Sequence, residues 1–555
     1  LYQNAFCTAP VCAPARSTLI TGMYPTTTGT ENMRSLFPIP EFIKFFPRYL
    51  REAGYYTSNN AKKDYNTIDQ VYAWDESGNT ATYKNRKPNQ PFFAVFNIGT
   101  SHESSIHHYI SDLRHSPEAV TIPAYQPPTS EMKHDWAQYY DKLEDMDKEV
   151  GAFLKELDEN GLSENTIVFY FGDNGGVLPR SKRFMYESGL HIPLIIRIPK
   201  KYAHLASNTN GTQTDRVITF VDFAPTVLSL AGVKIPDYMQ GHAFLGKQQA
   251  KEQDYGFSSR GRMDERIDLI RSVRNKRYRY IRNYYPHKIY AQYIEYLWRA
   301  PSMRSWDSVY RAGTLNEVQS RFFNSKPVEE LFDCEKDPDN IFNLAEREEY
   351  RDLLQQMRGI TQDWMISTRD AGFIPEARRE EISKTTTIYG YTHSPSYPIE
   401  RIVETANMAS SKNSQFLDKL IDRLQDKDPD IRYWAATGCV ILGREAMKAK
   451  RHLHIVLTDK ESAVRIAAAE ALYIFGDKKE SIRVLKRVLR TDNLMARVQA
   501  LNVLELADEK ELTGVVPDLR FIIQEKHPGF DYDVRAAAWL MSKVSQHSPE
   551  RRTEK

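Results

Sequence analysis

Cysteine is scarce in this chain: Cys7, Cys12, Cys334 and Cys439 are the only four in 555 residues. No two of them form a CxxC pair, so the spacing offers neither a CxxC site nor a disulfide framework. Charge of one sign is lacking too, with 75 Lys and Arg against 73 Asp and Glu, a net +2. That balance gives the chain as a whole no footprint for nucleic acid or a membrane surface. No apolar run is long enough to span a bilayer and no signal peptide is present; the sequence opens at Leu1 as though in mid-fold. Compartment is therefore not readable from it. What is present is ordinary for a globular protein, 41% hydrophobic and 27% charged residues in a chain long enough for two or three cores. The 32 tyrosines suit a carbohydrate handler, because flat rings stack on sugars, although a Tyr-rich core has the same composition.

Residues 91–100 (PFFAVFNIGT) form a continuous apolar run that reads as a buried strand. Trp136, Tyr140, Leu143, Met146, Val150, Phe153 and Leu157 then recur near helical spacing and predict a helix over 131–160, with Gly161 as its stop. Two more strands are expected at Thr166–Phe171 and Pro193–Ile198. Strand, helix and strand in this rhythm predict an α/β layered domain with a largely parallel sheet over residues 1–255. Short Tyr- and Arg-rich segments such as 277–281 predict a smaller α+β subdomain over 256–380, and the polar stretch within 381–404 a linker. From 405 to 548 a repeat is expected. Ile431-Arg432, Val464-Arg465, Ala496-Arg497 and Val534-Arg535 each lead into an Ala-containing helix, their arginines 33, 32 and 38 residues apart. Such periods signify an all-α solenoid resembling HEAT repeats, in which the recurring Arg caps and bridges turns.

The sharpest motif is Cys12-Ala-Pro-Ala-Arg16-Ser-Thr18-Leu-Ile-Thr21-Gly22, followed by Met23-Tyr24-Pro25. Most lone cysteines are small buried hydrophobes. This eleven-residue run, however, resembles the signature of type I sulfatases, members of the alkaline-phosphatase-like superfamily. The resemblance implies an α/β/α sandwich and oxidation of Cys12 to formylglycine. The aldehyde hydrate would offer one oxygen to attack sulfur and a second to expel sulfate. Arg16 would hold that hydrate through its rigid donor fork, and Thr18 or Thr21 would begin or line a helix whose amides favour an anion.

Other segments follow in the family's order. Asp173-Asn174-Gly175, at the end of the 166–171 strand, resembles the family's Asp-Asn metal pair; Asn-Gly alone is also a common turn signal. With Cys12 these residues imply a Ca2+ site, Mg2+ being the second choice; hard oxygen ligands suit either ion rather than zinc. Lys182 matches a cation that grips sulfate, Lys62 the first lysine of a Gly-Lys-x-His segment, and His102 the histidine that protonates the leaving oxygen, with His107 and His108 as alternatives. On composition alone each lysine is equally a surface residue. Phe220–Thr226, Gly241, Glu330–Asp333 and Asn343–Ala345 extend the resemblance over about residues 1–375.

Two departures stand out. The family carries an Asp-Asp metal pair ahead of its signature Cys, and nothing before Leu1 supplies it here. The expectation is an N-terminus lying further upstream, and weak Ca2+ binding and slow turnover for the chain as written. Second, Asp64 stands where the family has His; it is expected as a base or as a substrate contact. Lys62-Lys63-Asp64 somewhat resembles the corresponding segment of sulfamidases, the heparan N-sulfatases.

The leading function is thus hydrolysis of sulfate esters, or an N-sulfate, of a carbohydrate or glycosaminoglycan. Cys12, Arg16, Lys62, Asp64, His102 and Lys182 would be the catalytic set, and Cys12, Asp173 and Asn174 the metal set. The alternatives are a phosphonate or phosphodiester hydrolase of the same superfamily and an inactive scaffold that holds sulfated glycans. Implied partners are the sulfated substrate, a formylglycine-generating or anaerobic sulfatase-maturing enzyme, and one on the repeats. The resemblance implies a periplasmic, cell-surface or secreted location.

Overall fold

The computed structural model describes residues 1–206, 211–525 and 530–545. Its first sheet has the order β5-β6-β1-β7, formed by β1 (Tyr2–Phe6), β5 (Val168–Phe171), β6 (Leu194–Arg197) and β7 (Thr214–Thr219). A second piece, β3-β2-β4, joins β2 (Tyr56–Asn60), β3 (Glu76–Ser77) and β4 (Phe92–Phe96) in parallel.

Alternation along each strand decides what covers the two faces. Phe169 and Phe171 turn to Phe223 of the helix Phe223–Leu230, while the Tyr170 hydroxyl between them donates to Met146 of the helix Ser130–Glu159. In β4, Phe93 and Val95 join Ala224 and Leu228, and Phe96 packs on Phe153 of the long helix. Helices therefore lie on both faces, as an α/β/α sandwich requires. The long helix matches the expected 131–160 closely. Thr129 caps its start by accepting from the Met132 amide, and Gly161, at φ 64°, ends it in the left-handed conformation that glycine adopts without strain.

The expected parallel order holds for β1–β7 and the β2 piece, but β6 pairs antiparallel with both β5 and β1. The segment between β5 and β6 contains only the single helical turn Glu187–Leu190. It doubles back instead of making a helical crossover, so β6 enters in the reverse direction. β4 and β5 are edge strands of their sheets, and their apolar residues are only half-buried.

The α+β subdomain is an antiparallel sheet, β11-β10-β9-β8, of β8 (Gly256–Arg260), β9 (Ile270–Arg274), β10 (Tyr278–Asn283) and β11 (Glu329–Asp333). The helix Arg351–Ser367 closes one face through Leu354 and Met357 against Val273, Tyr280 and Leu331.

The linker expected over 381–404 is corrected. It carries the helix Ile388–Thr392 and the first turns of Ile399–Ser410, and buries Ile388, Tyr397, Ile399 and Ile402. Those apolar side chains outweigh the polar residues around them.

Paired helices follow from Leu417 to Ser545; residues 546–548 of the expected solenoid lie outside the described residues. Three of the four recurring arginines cap carbonyls, while Arg535 pairs with Asp531 at 2.9 Å. Arg432 donates to the carbonyls of Asp426 (2.8 Å) and Lys427 (3.1 Å) and pairs with Asp459 of the next repeat at 2.6 Å. Arg465 and Arg497 likewise bond the carbonyls of Asp459 and Thr491, each at 2.6 Å. The solenoid is continuous with the rest of the molecule, because one buried cluster runs from Tyr24 and Leu269 through Phe373 and Trp434 to Leu540.

Candidate active site

α1 (Cys12–Thr21) begins directly behind the turn that follows β1, with Val11 extended as its N-cap. Pro14 is tolerated because the first-turn amides have no intrahelical acceptor. Cys12 thereby opens the helix, and Arg16, four residues on, shares its face. Thr18 and Thr21 are turned away from this end: Thr18 accepts from Thr8 at 2.8 Å and Thr21 donates to the Ser17 carbonyl at 2.7 Å.

Four other segments meet this helix start. The Cys12 thiol lies 3.3 Å from Asn174 Oδ1, so the ends of β1 and β5 supply adjoining groups. Asp173 Oδ2 is 3.1 Å from Lys62 Nζ and 3.6 Å from Arg16 Nη1. Burial alone would raise the Asp173 carboxyl, but Lys62, Arg16 and Lys182 outweigh it and hold it at about 2. Arg16 also donates to the carbonyls of Lys63 (2.8 Å) and Lys62 (2.6 Å), fixing the segment after β2. Its fork is thus spent on positioning Lys62 and neutralising Asp173.

Lys182 is buried and comes within 3.2 Å of His102 Nε2 and 3.8 Å of Glu103 Oε2. Burial would lower its pKa, but the Cys12 sulfur and the Glu103 carboxylate raise it above the usual lysine value. His102 Nδ1 sits 3.0 Å from Ser104 Oγ. The Ser104 amide also donates to Nδ1 at 3.3 Å, and Nε2 faces the Lys182 ammonium, so both ring nitrogens are met by donors. Burial, then the charges of Lys182 and Lys62, lower the His102 pKa to about 4.

Behind this pair lies a buried relay absent from the sequence reading. Glu103 accepts from Arg183 Nη1 at 2.7 Å, and Arg183 Nε donates to Asp264 Oδ2 at 3.1 Å. Adjacency to His102 and Lys182 was the available signal, but buried ion pairs between distant segments have no sequence period. Tyr296 closes the same side, its ring 4.6 Å from His107 and 6.4 Å from His102. Of the three histidines, His102 is the one that meets Lys182; among the described residues neither His107 nor His108 makes a hydrogen bond to it.

The loop carrying Asp173 and Lys182 is folded tightly on itself. The amides of Gly175 and Gly176 donate to the carbonyls of Gly189 and Ser188, and the Lys182 amide donates to the Gly176 carbonyl. A Cβ on Gly175 would lie 2.2 Å from the Ser188 carbonyl oxygen, so only glycine permits this approach.

Asp64 is not brought into contact with these groups. Its carboxylate is 3.4 Å from Arg34 Nε, and its backbone is left-handed at φ 50°. Another set of ligand-type atoms lies elsewhere, where His115, ahead of the long helix, meets Asp141 and Glu144 on it. Arg114 and His115 already engage those carboxylates, at 2.9 Å for Arg114–Glu144 and 2.7 Å for His115–Asp141, so the set reads as an ion-pair network.

Comparison with known proteins gives three family matches: Sulfatase over residues 1–233, N-sulphoglucosamine sulphohydrolase, C-terminal, over 180–320, and HEAT repeats over 417–505. An ulvan-active sulfatase of Formosa agariphila is 39% identical over 428 residues, covering 68% of this chain and 70% of that protein. Human N-sulphoglucosamine sulphohydrolase is 22% identical over 429 residues, covering 67% and 84%. Among solved structures, a 2-O GAG sulfatase covers 66% of this chain and 84% of its own, with TM-score 0.49 and 18% identity.

Proposed function

The chain belongs to the sulfatase family and is a sulfuric ester hydrolase acting on sulfated glycans; from that premise we propose that Cys12 is the precursor of its formylglycine nucleophile. The observation that carries this reading is the convergence of Cys12, Arg16, Lys62, His102, Asp173, Asn174 and Lys182 from five separate segments. Arg16, Lys62 and Lys182 surround the helix start with positive charge, which suits the sulfate oxygens as charge develops on them. His102 Nε2, beside Lys182, is the atom that would hand a proton to the departing sugar oxygen. An anion bound between Lys182 and Lys62 offsets the field that depresses its pKa, so substrate itself raises the proton occupancy of His102.

Asp173 and Asn174 suit a hard cation in kind: one is a carboxylate held anionic, the other an amide oxygen engaged by a thiol. Together with position 12 they would form one side of a Ca2+ site, the remainder of which would fall to further carboxylates. Ca2+, when bound, would add charge against the sulfate oxygens. Asp64, paired with Arg34, fits a substrate contact at the rim better than a base acting at Cys12.

The ulvan-active relative favours an O-sulfated polysaccharide, and the sulphoglucosamine relative keeps N-sulfate as the second reading. A formylglycine-generating or anaerobic maturing enzyme and a periplasmic, cell-surface or secreted location accompany this assignment. The test is inorganic sulfate released from a panel of sulfated saccharides by metal-loaded protein whose Cys12 peptide carries formylglycine by mass. Release is expected and should disappear in Cys12→Ala. No release from mature protein would transfer the assignment to phosphodiester hydrolysis or glycan binding alone.

A further inference from the structure

The helix Lys478–Val488 has one face committed to the solenoid, where Val484, Leu485 and Val488 are buried. Its contacts run to the neighbouring helices Ser462–Ile474 and Leu494–Leu504. The other face is exposed and carries Lys479, Arg483 and Arg487 at successive intervals of four residues, continued by Arg490 just beyond the helix. Lys486 lies alongside, and together these cations line a shallow groove.

Like charges four residues apart on a helix repel and weaken it, so this stripe works against the local fold. It is only partly compensated. Glu480 meets Arg483, and Asp518 meets both Lys486 (3.4 Å) and Arg490 (2.7 Å), whereas Lys479 and Arg487 make no ion pair among the described residues. At one end of the stripe the Arg490 guanidinium lies 4.3 Å over the ring of Phe521, a large aromatic side chain that is 37% exposed. Regularly spaced cations ending at a partly exposed ring, which Arg490 and the buried Arg497 also approach, combine two recognition elements: charge for successive anionic groups, and an apolar ring surface for a sugar.

We propose that this stripe is a second binding site, separate from the catalytic cleft, for an extended sulfated polysaccharide. From the reading above it takes only the chemistry of the polymer. The stripe holds the chain by its sulfates, with the exposed part of Phe521 packing against one sugar, and so keeps a long substrate near the enzyme through an additional point of attachment.

The test measures binding without turnover, in full-length Cys12→Ala protein, so its result does not depend on the catalytic assignment. The probes are a sulfated polysaccharide, its desulfated counterpart and inorganic polyphosphate. Replacing Lys479, Arg483 and Arg487 together by Gln should weaken binding of the sulfated polymer roughly tenfold, the scale expected for three exposed ion pairs. The same variant should melt no lower than its parent, because the like charges are gone. Phe521→Ala should weaken the polysaccharide and leave polyphosphate unchanged. Parent-like affinity in the triple Gln variant would overturn the proposal. So would equal losses for polysaccharide and polyphosphate in Phe521→Ala, which would indicate a general polyanion surface.

Discussion

His102 illustrates how a residue's role depends on charges contributed from elsewhere in the chain. The ring is held neutral by burial and by Lys182, which lies 80 positions further along the sequence. Replacing Lys182 by Met should move the His102 midpoint upward from about 4 toward its ordinary 6.5, followed by NMR titration of the ring. An unmoved midpoint would mean that burial alone sets it. The sign for stability follows from the same shift. Between the unfolded value of 6.5 and the folded value of about 4 the unfolded chain binds the proton first. Lowering the pH through that window therefore removes stability, and no more is lost below it.

At the scale of elements, the 172–190 loop shows that backbone approach can matter as much as side-chain chemistry. Gly175→Ala places a Cβ 2.2 Å from the Ser188 carbonyl oxygen, and one strand of the loop must move. A loss of about 1–3 kcal/mol is expected, in the range for overpacking, with sulfate release falling alongside because Asp173 and Asn174 shift with it. Gly176→Ala is the control, since its nearest neighbour would be Ser181 Oγ at 3.6 Å, an ordinary contact. Thermal melts of the two variants check this; equal melting temperatures would refute it. Elsewhere the elements behaved as their patterns implied. The 3.6-residue stripe of the long helix and the apolar run of β4 were legible, whereas the direction of β6 was not, because strand direction depends on how the preceding loop closes.

For the whole molecule, the helical repeats are part of the fold that holds the site. Trp434 is fully buried between Tyr285 and Phe373, and its indole donates to the Phe373 carbonyl at 3.0 Å. Arg266 of the α+β subdomain pairs with Glu505 of the repeats at 2.8 Å, and Arg378 pairs with Asp430 at 3.1 Å. A chain so connected should unfold in one calorimetric transition, and Trp434→Ala should lower it by about 3–5 kcal/mol while sulfate release from a small substrate declines with the folded fraction. Separate transitions for residues 1–380 and the repeats would refute this coupling.

The sequence by itself carried the proposal for Cys12, the order of the segments that meet at the candidate site and the existence of the repeats. Each is carried by local information: the run from Cys12 to Gly22, the Asp173-Asn174 pair after an apolar strand, and the recurring Arg before Ala-rich helices. Only the tertiary structure decided the partners. It joined Arg16 to the carbonyls of Lys62 and Lys63, turned Asp64 toward Arg34, placed Glu103 beside Lys182, and gave the expected 381–404 linker helical turns that bury Ile388, Tyr397, Ile399 and Ile402. Those outcomes depend on contacts between residues tens to hundreds of positions apart, where burial and charge act through space and leave no periodic trace along the chain.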